Sequence, residues 1–268
     1  MSLNLLCSGK MVHLSVVGVG NMGGALVKGL ARDGNHTVTG IDADPDALAA
    51  IADYCAETTT DLSAAKETPV VVLAVKPDTV AAVLDGLDLT ADQTLVTVAA
   101  GVSTDFVAAR TDAAVVRIMP NLAAETGDMA AAVTQGELTD DVRELLDEVG
   151  EFVEIEEDLM DISTAVNGSG PAFVFYLIDA MKEAGIEGGL DPEHAETLAA
   201  QTFKGAAETV LRDDRSVEEL IDAVCSPGGT TIEGMDVLWD SDVEAKVIEA
   251  VLAAERRSEE IAEEFHDD

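Results

Sequence analysis

The stretch VVGVGNMGGALVKGL, Val16 to Leu30, runs apolar β-formers into three spaced glycines and then into a helical apolar pattern. Strand, glycine turn and helix follow in that order, the context a GxGxxG spacing needs before it means more than a turn. Gly18 suits the tight turn, Gly20 lets backbone approach a pyrophosphate, and Gly23 lets the helix pack closely on its strand. The unpaired N–H groups at the helix start and the positive end of its dipole attract phosphates. The stretch therefore predicts a dinucleotide site in a doubly wound α/β sheet. The rest of the chain should complete that site or bring a substrate to it.

Outward from this turn, the helix is expected to run to about Asp33, stopped by Gly34. Thr37–Ile41 reads as a short strand, and Asp44 caps a helix with Pro45 in its first turn. Asp42 stands 24 residues beyond Gly18, near where an acidic group meets the adenosine ribose. No Lys or Arg lies between Gly34 and Thr60 to hold a 2′-phosphate. A solvated acidic side chain is the plainer reading of Asp42. Pro69–Val75, closed by Lys76-Pro77, reads as a buried parallel strand whose carboxyl end faces the ligand side. Thr94–Val98 and Ala114–Ile118 are two more, with Ser103 capping the helix between them. Met119-Pro120-Asn121 ends the second with a bend. Ala130–Thr134 and Phe152–Ile155 flank a helix over Thr139–Val149. Alternation of this kind argues for a parallel sheet.

Beyond residue 157 the pattern is helical only. The expected division is a dinucleotide-binding domain over 11–157 and a helical substrate and dimerisation domain over 158–268. Residues 1–10 read as a leader or expression remnant. A long helix over Met160–Ala184, interrupted near Gly168–Pro171, is followed by Pro192–Leu211 capped by Asp191, Val217–Val224, a helix from Thr231, and Asp242–Glu264. Phe173–Ile178 is apolar nearly all round and demands cover on every side, so a homodimer is expected.

The 268 residues are 47% hydrophobic, with 53 acidic and 15 basic side chains and a net charge of −38. A chain this apolar can fold. Nucleic acid is excluded as a partner by the lack of clustered cations, and the longest apolar run of the second half, Ala172–Ile178, is too short for a membrane span. The acidic surface resembles that of salt-in halophiles. In molar salt the Debye length is about 3 Å, so self-repulsion is screened. Structure should be lost on desalting, and an equal melting temperature in molar KCl and in dilute buffer would contradict this. Cys7, Cys55 and Cys225 fit neither zinc nor disulfide spacing, which points to a reducing cytoplasm and no metal.

Acid–base candidates are scarce: His13, His36, His194 and His266 fall at strand edges, loops or termini. Ser226-Pro227-Gly228-Gly229-Thr230-Thr231 stands out instead, with small hydroxyls and glycines ahead of a helix. Such a stretch suits a carboxylate, though a capped interhelical turn has the same composition.

Read together, VGVGNMGGA (17–25), AVKP (74–77), MPN (119–121), MDISTAVNGSGPAFVFYLIDAMKEAGIEGGL (160–190), SPGGTTIEGMDVL (226–238) and Arg256-Arg257-Ser258 resemble the pyrroline-5-carboxylate reductases, from about Val12 to Ile261. The resemblance implies hydride transfer from NADPH or NADH to the cyclic imine 1-pyrroline-5-carboxylate, giving L-proline, in interlocked dimers that sometimes form decamers. Ser226 and the backbone and hydroxyl groups of Gly229, Thr230 and Thr231 would grip the carboxylate. Thr231 occupies the position proposed as proton donor. Asn21, Met22, Val75, Lys76, Pro77 and Asn121, at matching motif positions, would join Gly18, Gly20, Gly23 and Asp42 around the cofactor.

Three features depart from the family pattern. Asp42 stands where many members have neutral or basic residues, which favours acceptance of NADH. Leu122–Thr126 replaces a more apolar, proline-containing run. Cys225 precedes the substrate loop with no nearby cation to activate it. Two rivals share parts of this plan. A β-hydroxyacid dehydrogenase relies on a lysine early in the second domain, but Gly168–Asp179 has none. A sensor that binds the cofactor without turnover has no need of the 226–231 loop.

Overall fold

The computed structural model describes residues 10–32, 34–136 and 138–266, with side chains up to residue 264. Asp33, Cys7, most of the expected leader and the His266 side chain lie outside the described residues. β1 (His13–Val17) leads through the glycine turn into α1 (Asn21–Leu30), followed by β2 (Thr37–Ile41) and α2 (Pro45–Ile51). Then come β3 (Glu57–Thr59), β4 (Val70–Leu73), α3 (Val80–Gly86), β5 (Thr94–Thr97), α4 (Thr104–Ala108) and β6 (Ala114–Met119). The order is closed by β7 (Met129–Thr134), α5 (Asp140–Val149) and β8 (Gly150–Ile155). All join one sheet in the order β3-β2-β1-β4-β5-β6-β7-β8. Chain reversal beside β1 is the doubly wound arrangement, with ligand sites at the carboxyl ends of the strands.

The apolar runs explain the layers. All four residues of β4 are buried, as a strand covered on both faces requires. Leu26, Val27 and Leu30 of α1, Leu48 and Ile51 of α2, and Val142, Leu145, Leu146 and Val149 of α5 fill one face. Val80 and Leu84 of α3 and Val107 of α4 fill the other. Each aliphatic side chain so buried stabilises the fold by about 1.5–3 kcal/mol.

The sheet differs from the sequence reading in three respects. It is not wholly parallel, because β7 runs antiparallel to β6 through Ile118↔Val133 and Met119↔Ala132. Apolar runs report burial and carry no direction. β3 was not anticipated either, since Glu57-Thr58-Thr59 is a short polar edge strand without an apolar run. Strand β4 also ends earlier than expected, at Leu73, leaving Ala74 onward as the turn beside the glycine loop.

Arg117 of β6 is 5% exposed. Its Nη1 donates to Glu157 Oε1 at 3.0 Å, and the Thr104 N–H donates to the same oxygen at 2.7 Å. Burial pushes the Glu157 carboxyl up, but the Thr104 and Arg117 donors outweigh it and hold the group below its ordinary value of 4.5. A carboxyl lowered on folding stabilises above its unfolded value and loses that contribution as pH falls through the folded one. Glu157→Gln should therefore cost about 1–2 kcal/mol near neutrality, since Glu157 itself is only partly buried and the pair is partly screened by solvent. Chemical denaturation across pH should show the gap to wild type closing below pH 4.5; a gap independent of pH would contradict the pairing.

The chain divides into two compact units, one running to Gly168 and resuming at Ala253, the other Ser169–Leu252. This division lies at 168/169, with the last helix shared, whereas the sequence suggested 157/158. In the first unit a short turn and α6 (Met160–Ser163) run into a π-helical segment, Thr164–Gly168. Here is the interruption expected near Gly168. Ser258, late in the chain, is buried, and its hydroxyl donates to Asp161 Oδ1 at 2.6 Å.

The second unit is helical: α7 (Gly170–Glu187), α8 (Pro192–Arg212), α9 (Val217–Val224), α10 (Thr230–Trp239) and the first part of α11 (Val243–His266). Asp191 caps α8 through the Glu193 N–H, and α7 and α8 approach closely where a Cβ on Gly185 would lie 3.1 Å from Ala195 Cβ. No residue of α7 is buried within the chain, and Phe175 and Tyr176 are 67% and 76% exposed. The cover that the apolar pattern demands is not supplied by this chain itself.

Candidate active site

The three glycines of the first loop do three different things. Gly18 has φ +87°, and a Cβ there would lie 2.8 Å from the Ala74 backbone and from Val75 Cγ1. Its N–H donates to Ile41 O at 2.8 Å, and the Ala74 N–H donates to Val17 O. The ends of β1, β2 and β4 are thereby drawn together, bringing Val75, Lys76 and Pro77 beside the glycine loop. Gly23 is closed differently, since a Cβ would meet the Gly18 carbonyl oxygen at 1.9 Å. Gly20 is the open one, with nothing within 4 Å of a Cβ. It stands at the N-cap of α1 without a side-chain cap, so Asn21, Met22 and Gly23 present first-turn N–H groups with no side chain folded over them.

Asp42 is bound into this loop. Its Oδ2 accepts from the Val19 N–H at 2.8 Å and its Oδ1 from the Asp44 N–H at 2.9 Å, while Asp44 caps α2 through the Asp46 N–H. The carboxylate that spacing placed near a ribose also braces the glycine turn. A cavity of about 440 Å³ opens beside the loop, lined by Gly20, Asn21, Lys28, Asp44 and Glu125 among others. At the end of β6, Asn121 is 7% exposed and its amide is occupied by protein partners: Oδ1 accepts from Ala123 and Ala130, and Nδ2 donates to Asn167 O. Lys76 caps a short turn, its carbonyl accepting from the Thr79 N–H and hydroxyl.

The second loop belongs to the other unit. Gly229 N–H donates to Ser226 O at 2.9 Å, with Pro227 and Gly228 (φ +71°) between them. Proline second and a left-handed glycine third is the type II turn signature. A Cβ on Gly229 would lie 2.5 Å from Ser226 Oγ, so glycine is what leaves that hydroxyl its place. Thr230 and Thr231 then open α10, whose N-cap, Gly229, offers no side-chain cap. Ser226, Thr230 and Thr231 are exposed. Hydroxyls and first-turn N–H groups together suit a small carboxylate.

Other groups are accounted for structurally. His36, placed at a loop by the sequence, accepts the Val12 N–H at Nδ1 and pairs through Nε2 with Glu148 at 2.7 Å. Cys55 is half-buried, and that burial pushes its thiol up to about 11. Cys225 precedes the type II turn as the C-cap of α9. Asn167, which the sequence did not single out, makes four hydrogen bonds where β6 ends and β7 begins. Its only signal was an asparagine at the expected helix interruption.

Comparison with known proteins matches both units. The family described as pyrroline-5-carboxylate reductase dimerisation matches residues 157–261, and the one described as NADP oxidoreductase, coenzyme F420-dependent, matches residues 13–101. The pyrroline-5-carboxylate reductase of Methanosarcina acetivorans is 36% identical, over 92% of this chain and 97% of its own. The solved structure of that enzyme from Coxiella burnetii matches with a TM-score of 0.83 and 30% identity, covering 94% of this chain and 99% of the other. Pyrroline carboxylate reductase from Plasmodium falciparum, solved with NADP bound, matches with a TM-score of 0.81 and 26% identity, covering 94% and 98%.

Proposed function

The chain belongs to the pyrroline-5-carboxylate reductase family, and we propose that its two glycine loops divide the reduction of 1-pyrroline-5-carboxylate to L-proline between cofactor and substrate. The reaction is an NAD(P)H-dependent reduction of a cyclic imine. The Ser226–Thr231 segment carries the assignment of substrate, because its exposed hydroxyls and N–H groups lie at the start of α10, where a carboxylate can be held.

The cofactor fits the first loop on the structure's own terms. Gly20 offers open backbone, Gly18 and Gly23 exclude side chains, and the uncapped start of α1 faces the phosphates. The pyrophosphate would rest on Gly20, Asn21, Met22 and Gly23, with Val75, Lys76 and Pro77 along the adjoining edge. When bound, reduced nicotinamide supplies the hydride for the imine carbon. The chain's part is to hold and orient. Ser226 Oγ and the Gly229, Thr230 and Thr231 groups grip the substrate carboxylate, and Thr231 Oγ1 addresses the imine nitrogen as proton donor. Such an imine protonates readily near neutrality, so positioning supplies most of the catalysis and a histidine is not needed.

Asp42 sets the cofactor preference in this reading. Fixed beside the glycine loop, its carboxylate accepts from a ribose hydroxyl and repels a 2′-phosphate. NADH should be accepted and preferred, and a KM for NADPH far below that for NADH would contradict it. The exposed apolar face of α7, with Phe175 and Tyr176, is assigned to a second copy of the chain in a homodimer. That assignment is supported by the dimerisation family matched over 157–261. Among the described residues no helix is long and apolar enough to cross a membrane, and a cytoplasmic home goes with the reducing setting read from the cysteines. Incubation with 1-pyrroline-5-carboxylate and each reduced cofactor, with chiral analysis of the product, tests the whole reading. L-proline is expected; a hydroxy acid product, or none, would overturn it.

A further inference from the structure

The β6–β7 ladder stops abruptly. Its last pair is Met119↔Ala132, and the same register sets Pro120 opposite Ala131 and Asn121 opposite Ala130. Pro120 has no N–H to donate, so backbone pairing cannot continue through it. Side chains take over the missing bonds. The Ala130 N–H donates to Asn121 Oδ1 at 3.4 Å, and the Asn167 amide donates to Ala130 O at 2.9 Å and to Met119 O at 2.7 Å. Asn121 Nδ2 donates in turn to Asn167 O at 3.1 Å, and Ser163 Oγ donates to Asn167 Oδ1 at 2.9 Å. Asn167 reaches this place from the π-helical turn Thr164–Gly168, whose extra residue re-aims the side chains that follow; such turns recur at functional sites.

We propose that Asn167 is a positioning residue for hydride transfer, splinting Met119-Pro120-Asn121 at the carboxyl end of β6. The proposal rests on the reductase reading given above. The sheet order puts β1, β2 and β3 in one mononucleotide half and β4, β5 and β6 in the other. Asp42 ends β2 in the adenosine half, so the end of β6 falls in the half that takes the nicotinamide. Asn167 itself bonds to Met119, Asn121, Ala130 and Ser163 and, among the described residues, to none of the glycine-loop residues that hold the pyrophosphate. Loss of the splint therefore moves the hydride donor relative to the imine carbon without releasing the cofactor. A misplacement of about 1 Å costs about 10²-fold in rate.

Asn167→Asp is the sharpest probe, because it keeps the shape but turns a carboxylate oxygen towards two carbonyls. Asn167→Ala removes the donors without adding charge and carries the same readings where the first variant fails to fold. The measurements are the single-turnover rate of hydride transfer per folded molecule and the Kd for the reduced cofactor. The rate should fall about 10- to 100-fold with the Kd nearly unchanged. An unchanged rate per folded molecule, or a loss wholly explained by weaker cofactor binding, would overturn the proposal. Absence of turnover by the wild-type protein would instead overturn the reductase reading. In that case, fluorescence of bound reduced nicotinamide reports the splint directly. It should shift in the Asn167 variants, and identical emission would overturn the proposal on its own.

Discussion

Thr231→Ala should lower kcat by about 10²-fold, the lower range for loss of a positioned proton donor, with the fold intact. Thr231 lies exposed in the first turn of α10, and alanine is the better helix former by up to about 0.7 kcal/mol. A fall in activity therefore cannot come from melting of the helix. The hydroxyl matters most as the imine nitrogen becomes an amine, so the loss should appear in kcat more than in substrate KM. Thr231→Ser keeps the hydroxyl and should restore most of the rate. Steady-state kinetics beside a thermal melt decide it. If kcat and KM of the alanine variant matched wild type, Thr231 would have no part in the chemistry.

The glycine loop gives the second large effect, in two parts that run in opposite directions. A Cβ on Gly23 would stand 1.9 Å from the Gly18 carbonyl oxygen and 3.2 Å from Ala74 Cβ. Since the Gly18 carbonyl cannot yield without parting α1 from β1, Gly23→Ala should cost about 3 kcal/mol or more and lower Tm by roughly 10 °C at about 2–4 °C per kcal/mol. At Gly20 a Cβ meets nothing within 4 Å, and the residue is the extended N-cap of α1, at φ −67° and ψ −150°. Gly20→Ala should lower Tm by at most a few degrees, since alanine is a poorer N-cap than glycine, while raising the KM for the cofactor, because the methyl occupies the approach to the pyrophosphate. A larger loss of stability at Gly20 than at Gly23, with cofactor affinity lost at Gly23 without destabilisation, would reverse the two roles.

These two positions also show how far residue patterns reach. Spacing places Gly18, Gly20 and Gly23 between strand and helix, because a close-packed βαβ turn leaves few residue types possible there. The pattern does not say which glycine is pressed against backbone and which is open. Asp42 is similar: its offset suggests a ribose contact, yet its bonds to the Val19 and Asp44 N–H groups depend on how the two loops meet in space. The antiparallel turn of β7 left no trace in its apolar run, and β3 was too short and too polar to register. In Ser226–Gly229 the residue types suggested a loop, while the type II turn that seats Ser226 Oγ against Gly229 is a property of the folded backbone. Asn167 was least legible, for its role depends on a π-helical turn and on a ladder broken by Pro120. The apolar run Phe173–Ile178 asked for burial, and the chain leaves Phe175 and Tyr176 exposed. That mismatch is the observation on which the proposed homodimer rests.

The division of labour between the loops meets its most direct test in oxidation of NADH or NADPH, followed by its near-ultraviolet absorbance, with 1-pyrroline-5-carboxylate in wild-type protein and in the Ser226→Ala and Gly20→Ala variants. Wild type should oxidise the cofactor only when the imine is present, with the substrate KM raised by the change at Ser226 and the cofactor KM raised by the change at Gly20. Oxidation that ignores the imine, or a Ser226 variant whose substrate KM equals that of wild type, would contradict it.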